Sequence, residues 1–197
     1  MVSSHAQQRL TGLLGLGLAV LAVPALAQTP TPGSYALDAA QSKFHFSIGH
    51  FVVSSTEGQF TKFDGKLVFA SQAPERGTVT VHVSPGSIDT GIVARDEHLR
   101  TADFFDVAKF PLVTFESTSL ATSGGKTGTL TGMLTLHGVT KPVTLNATLQ
   151  SPDLTGDRLD FSVKGTLKRS DFGMNGYMGM IGDDVTLDIQ AEFARAR

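Results

Sequence analysis

Apolar and polar residues alternate strictly through eight separate segments of this chain, and that period of two constrains its fold more than anything else in it. Successive side chains of a strand point to opposite faces, so each such segment presents one greasy face and one wet one. In residues 43–53, Phe44, Phe46 and Ile48 oppose His45 and Ser47; in 58–69, Phe63, Leu67 and Phe69 share a face. Residues 77–84 set Val79, Val81 and Val83 against Thr78, Thr80 and His82, and 112–121 carry Val113 and Phe115. Leu130, Leu134 and Leu136 share a face of 126–136, and Val143, Leu145, Ala147 and Leu149 a face of 141–150. Residues 159–168 set Leu159, Phe161, Val163 and Leu167 against Asp160, Ser162, Lys164 and Thr166. The last segment, 184–193, sets Val185, Leu187, Ile189 and Phe193 against Thr186, Asp188 and Gln190.

Glycine turns such as Ser123-Gly124-Gly125, His137-Gly138 and Thr155-Gly156-Asp157 separate the segments, and short links of this kind join antiparallel neighbours. Between the third and fourth segments the period changes. Residues 88–107 lack alternation, Asp89 or Thr90 is placed to cap a helix over 94–100, and Pro111 returns the chain to an extended course. The expected fold is all-β: an extended antiparallel eight-stranded lipocalin-like barrel with a short helical insertion between strands three and four. An open two-sheet sandwich shares the same periodicity and stays open as the alternative. The polar face carries Thr144, Asn146, Asp160, Lys164, Asp188 and Gln190, which belong in water, so the apolar face points inward and no stable membrane insertion is expected.

With no cysteine, disulfides, thiolate catalysis and Cys-ligated metal are excluded. A formal net charge of -2 leaves no basic excess for nucleic acid. The 13 phenylalanines, against 2 tyrosines and no tryptophan, suit an interior without polar handles. No G-x-S-x-G elbow is present, so the chain is read as a binding protein and not an enzyme. Residues 1–27 read as a cleaved signal peptide: Arg9 precedes the apolar run 10–23, too short to span a bilayer, and Ala25-Leu26-Ala27 is the cleavage site. Residues 28–34 read as a Pro/Thr linker and 35–197 as one domain, exported to the periplasm with Gln28 at its mature start.

Several blocks then converge. Ser42-x-Phe44-x-Phe46-x-Ile48-x-His50 is followed by Arg95-Asp96-x-His98-Leu99-Arg100, Asp103-Phe104-Phe105-Asp106 and Phe110-Pro111. Later come Leu134-Thr135-Leu136-His137-Gly138-Val139-Thr140-Lys141-Pro142-Val143 and Arg169-Ser170-Asp171-Phe172-Gly173-Met174. In this order they resemble the YceI-like family of secreted bacterial proteins, across essentially all of residues 35–193. The resemblance implies a lipocalin-like barrel that binds, stores or transports an isoprenoid lipid or quinone in its lumen. It needs no cofactor, since the lipid is a ligand, and a homodimer is left open.

The expected lumen is lined by Phe44, Phe46, Ile48, Phe69, Val81 and Phe115, with Leu134, Leu145, Phe161, Val163 and Leu187. A packed core that needs no ligand would carry the same residues. Arg95, Asp96, His98, Leu99, Phe104, Phe105 and Met174 are the candidates for the barrel end and a ligand headgroup; a plain structural plug is the other reading. The function alternative is a periplasmic metal-binding protein using His50, His98 and His137, or the thioethers of Met174, Met178 and Met180. Asp171-Phe172-Gly173 copies a kinase triplet without its partners, and Asn146-Ala147-Thr148 is a glycosylation sequon placed mid-strand.

Overall fold

The computed structural model describes residues 29–50, 54–122 and 125–196. Among them are eleven strands in a single antiparallel sheet. In chain order they are β1 (Gly33–Leu37), β2 (Lys43–His50), β3 (Ser54–Phe60), β4 (Phe63–Phe69), β5 (Thr78–Val83) and β6 (Ile88–Asp89), then β7 (Val113–Thr122), β8 (Thr127–Leu136), β9 (Val139–Leu149), β10 (Arg158–Lys168) and β11 (Ile181–Arg195). One helix, α1 (Val93–Leu99), lies between β6 and β7.

Eight of the strands close a ring in the order β1-β4-β5-β7-β8-β9-β10-β11, and β11 returns to β1 with Tyr35 opposite Arg195 and Leu37 opposite Phe193. The closed barrel is the expected fold, and the β1–β11 pairing excludes the sandwich that shares its periodicity. The β2–β3 hairpin docks beside β1 on the same long strand, β11, with Ile48 opposite Val185 and Phe44 opposite Ile189. β6 extends this hairpin by pairing Ile88 with Phe60.

Two apolar clusters occupy the barrel. At the end where the chain enters, Tyr35, Leu67, Phe69, Leu149, Leu154, Leu159 and Phe193 pack together. Tyr35, fully buried, donates its hydroxyl to the carbonyls of Thr31 and Gly156 and carries the Arg195 guanidinium on its ring. This is the tyrosine end of the barrel. Nearer the other end, Phe104, Phe115, Leu130, Leu134, Leu136, Leu145, Phe172 and Met174 pack together. This helix end also gathers α1, the His137-Gly138 turn and the loop that follows β10. His137 and Gly138 both take left-handed backbone, φ 51° and 75°, and the close approach of the Phe110 ring leaves no room for a side chain at Gly138.

Four expectations need correction. The segment read as one strand over 58–69 is two, broken where Ser87 takes the N–H groups of Thr61 and Lys62. β1 and β6 were not anticipated, and β1 begins at Gly33, inside the stretch read as linker. Neither Asp89 nor Thr90 caps α1; Ile92 stands at that position without a side-chain bond. The Thr90 hydroxyl is turned to the Asp96 carboxylate instead. The expected strand residues 51–53 and the signal peptide of residues 1–27 lie outside the described residues. No described helix is long and apolar enough to cross a membrane.

Candidate functional site

Between the two clusters lies a cavity of about 920 Å³. All eleven residues expected in the lumen line it: Phe44, Phe46, Ile48, Phe69, Val81, Phe115, Leu134, Leu145, Phe161, Val163 and Leu187. The period-two argument placed them because each is on the inward register of its strand. Phe161 stands edge-on to Phe193 with 6.2 Å between centroids, and Phe46 is tilted against Phe60 at 5.5 Å. Further lining residues come from the elements the sequence reading missed or left unassigned, among them Leu37 of β1, Ile88 of β6 and Phe60 of β3. A lumen of this size and chemistry matches the pockets that take small apolar ligands, typically about 300–1,000 Å³.

The helix end supplies the polar groups. Arg95 reaches the lumen while its Nε and Nη2 donate to the Thr90 hydroxyl and carbonyl, both at 2.7 Å. His98 lines the lumen, donates from Nε2 to Asp103 Oδ2 at 2.9 Å, and meets Phe104 and Tyr177 edge-on. Tyr177 lies flat against Phe104, 5.6 Å between centroids, so a three-ring stack stands at this end. Leu99, Phe105 and Met174 complete the lining. Asp96 does not. It is buried, its Oδ1 accepts the Thr90 N–H at 2.9 Å and the Thr90 hydroxyl at 2.5 Å, and it faces away from the lumen. Asp96 is therefore a structural anchor for the turn into α1 and is withdrawn as a headgroup candidate. Tyr177 belongs in its place; the aromatic in a glycine-rich loop was the available signal.

Arg169 is a residue whose role the sequence pattern does not reveal. Its guanidinium is buried and donates to two carbonyls of the loop after β10, Met174 and Gly176 at 2.7 Å, and to two at the start of β11, Gly182 at 2.8 Å and Ile181 at 3.0 Å. Burial pulls its pKa below the usual arginine value, and neighbouring Asp183 opposes that shift. One side chain thus holds the loop that carries Met174, Tyr177 and Met180 into the lumen wall.

Asp183 accepts the Ser170 N–H at 2.9 Å and the Ser170 hydroxyl at 2.8 Å, and these bonds hold its carboxyl below the usual carboxylate range. A carboxylate depressed on folding adds stability above its unfolded pKa, and that contribution disappears as pH falls through the folded value. Acid titration of the unfolding midpoint is thus expected to show a loss starting near pH 4, where free carboxylates titrate, and Asp183→Asn should flatten it.

The metal alternative finds no geometry among the described residues, where no three His, Asp or Glu side chains gather. His137 points Nδ1 at the Phe172 carbonyl, 3.2 Å away, and packs on Phe110, as a turn residue does. Met174 is buried in the core while Met178 and Met180 are exposed, so the three thioethers do not share an environment. Phe172 is a core side chain in the 3-10 turn closing β10.

A closed antiparallel barrel around a roomy apolar lumen, with a polar and aromatic rim at one end, defines the class of lipocalin-like barrels with a ligand-sized interior. The particular family follows from comparison with known proteins. The YceI-like domain model matches residues 35–193, and the chain belongs to that family. Protein YceI of Salmonella newport (strain SL254) is 42% identical over 151 residues, covering 75% of this chain and 78% of that protein. Among solved structures, Burkholderia cenocepacia BcnA aligns with a TM-score of 0.72 at 26% identity, over 79% of this chain and 98% of that one. A polyisoprenoid binding domain from Saccharophagus degradans, implicated in plant cell wall breakdown, aligns with a TM-score of 0.69 at 17% identity, over 84% of this chain and all of that one (100%).

Proposed function

We propose that this protein holds an isoprenoid lipid or an isoprenoid quinone in its barrel and carries or stores it in the periplasm. The observation that supports this most is the apolar cavity of about 920 Å³, walled by inward-facing Phe, Leu, Ile and Val from nearly every strand. Each methylene moved from water into such a wall contributes roughly 0.8 kcal/mol, so a long chain gains more than any single polar contact could supply. The Saccharophagus domain with the same fold is a polyisoprenoid binder, which agrees with this reading. In the bound state Arg95, His98 and the Tyr177 ring meet the headgroup at the helix end, and the chain runs past Phe46, Phe115 and Phe161 toward the tyrosine end. The proposed role is binding, which agrees with the commitment of Asp96 and Arg169 to holding Thr90 and the loop after β10.

The test is solvent extraction of protein purified from a bacterial periplasm, followed by mass spectrometry. A stoichiometric polyprenyl or quinone species is expected, on a polypeptide that begins at Gln28. Phe161→Leu should change which chain lengths are recovered while costing only about 1 kcal/mol. Lys164→Ala on the same strand should change neither, since Lys164 points outward to an exposed pair with Asp188 at 3.2 Å. Protein free of lipid in every preparation, or retention that depends on Lys164 and not Phe161, would overturn the proposal.

A further inference from the structure

The barrel wall has a gap. β9 and β10 are each 11 residues long, yet they pair only from Phe161 opposite Leu149 to Lys164 opposite Asn146. Past that point β9 stays with β8 as far as Val139 opposite Leu136, and β10 stays with β11 as far as Lys168 opposite Asp184. The two strands therefore diverge toward the helix end. Proline reinforces the divergence. N–H groups of alternate residues point to alternate sides of a strand, and Gln150 sends its own to Asp160 of β10. Pro142, of the same parity on the same strand, faces β10 with no N–H to give, and such a proline is tolerated only on an unpaired edge.

Side chains fill the gap. Leu145 lies so close to Gly165 that a β-carbon there would come within 2.4 Å of its Cδ2. Phe172, from the turn after β10, is buried in the same apolar cluster as Leu145. Outside, a cleft of about 400 Å³ is lined by Lys141, Pro142, Thr144, Lys168 and Phe172. Val143, Thr166 and Leu167 line both this cleft and the lumen, so a single layer of side chains separates the two. Across the gap, Lys141 Nζ of β9 reaches Asp171 Oδ1 beyond β10 at 2.8 Å. Both partners are half exposed, and a pair of that kind adds little stability.

The geometry points to a lateral gate: the β9–β10 gap opens sideways to admit the lipid chain, with Leu145 and Phe172 as the plug and Lys141–Asp171 as the latch. This deepens the lipid-carrier reading and rests on it for the identity of what passes. Opening breaks no ladder hydrogen bond, because none spans the gap, whereas parting any other neighbours in the ring would break several.

The chain has no cysteine, so one introduced thiol reports access to the lumen. In a Leu145→Cys protein, reaction with a bulky maleimide should accelerate about tenfold when Lys141→Ala and Asp171→Ala are added. It should be unchanged by Lys164→Ala, whose side chain lies outside the barrel. Val143→Cys provides the same reading if Leu145→Cys folds poorly. Release of a dansyl-labelled farnesyl amine from the double alanine protein should quicken several-fold. Labelling that ignores the latch, or that responds to Tyr177→Ala alone, overturns the gate, as does faster labelling with unchanged release. Because labelling uses no ligand, wild-type protein that never binds the farnesyl probe, in the presence of latch-dependent labelling, removes the lipid reading and leaves the gate standing.

Discussion

Arg169→Met is expected to lower the unfolding free energy by about 3 kcal/mol or more, and to free the loop after β10 before the barrel itself unfolds. The guanidinium serves four carbonyls at once, those of Met174, Gly176, Ile181 and Gly182. A methionine fills similar space but donates nothing, and each buried carbonyl left without a donor costs about 1–3 kcal/mol. The loop also carries Met174, Tyr177 and Met180 of the lumen wall, so bound lipid should be lost at temperatures where the strands still stand. Urea unfolding followed by far-ultraviolet dichroism gives the free energy; limited proteolysis gives the loop. A variant as stable and as protease-resistant as wild type would show that water replaces the guanidinium at no cost.

Leu159→Ala should be as damaging to stability and silent toward ligand. Leu159 has no exposed surface, packs at the tyrosine end, and does not line the lumen. Deleting a leucine side chain from such a site costs about 2–5 kcal/mol, the upper part of the range applying where the surroundings cannot collapse. Neighbours drawn from β1, β4, β9 and β11 around a closed ring have little freedom to move inward. Phe161, two residues along the same strand, lines the lumen, and its replacement by leucine is expected to do the reverse. Calorimetry and extraction on the two variants separate core from lumen. A Leu159→Ala protein with altered lipid content would mean that the lumen reaches deeper than its lining residues indicate.

Inside and outside were legible because a strand has a period of two and this chain keeps it in its strand segments between Phe44 and Phe193, residues 88–107 apart. Closure was not, since periodicity describes faces and never partners. β3 escaped notice because Ser54-Ser55-Thr56-Glu57 offers no large apolar residue to mark a face, and β6 is only 2 residues long. By helical spacing Asp96 and Arg100 would share a face, yet Asp96 turns back to Thr90 while Arg100 donates to the carbonyls of Gly86 and Ile88. These are bonds to backbone several residues upstream, invisible to a pattern of side chains. Pro142 was a readable sign of an unpaired edge, though only the register of β8 and β9 shows which side of the strand lacks its partner.

The seam where β11 meets β1 has a kinetic consequence. It joins Tyr35 to Arg195 across 160 positions of the chain, whereas β7, β8, β9, β10 and β11 each neighbour the next strand in sequence. The entropy of bringing distant ends together must be met before the contact returns anything, and folds dominated by such pairings form in milliseconds to seconds. The meander can assemble locally, but the ring is closed by long-range encounters on β11, with β1 at its end and with β2 beside it. Until then the inner face, Phe161 and Leu187 included, is open to any apolar chain nearby, so the protein passes through its most lipid-accessible state once, on the way to being folded.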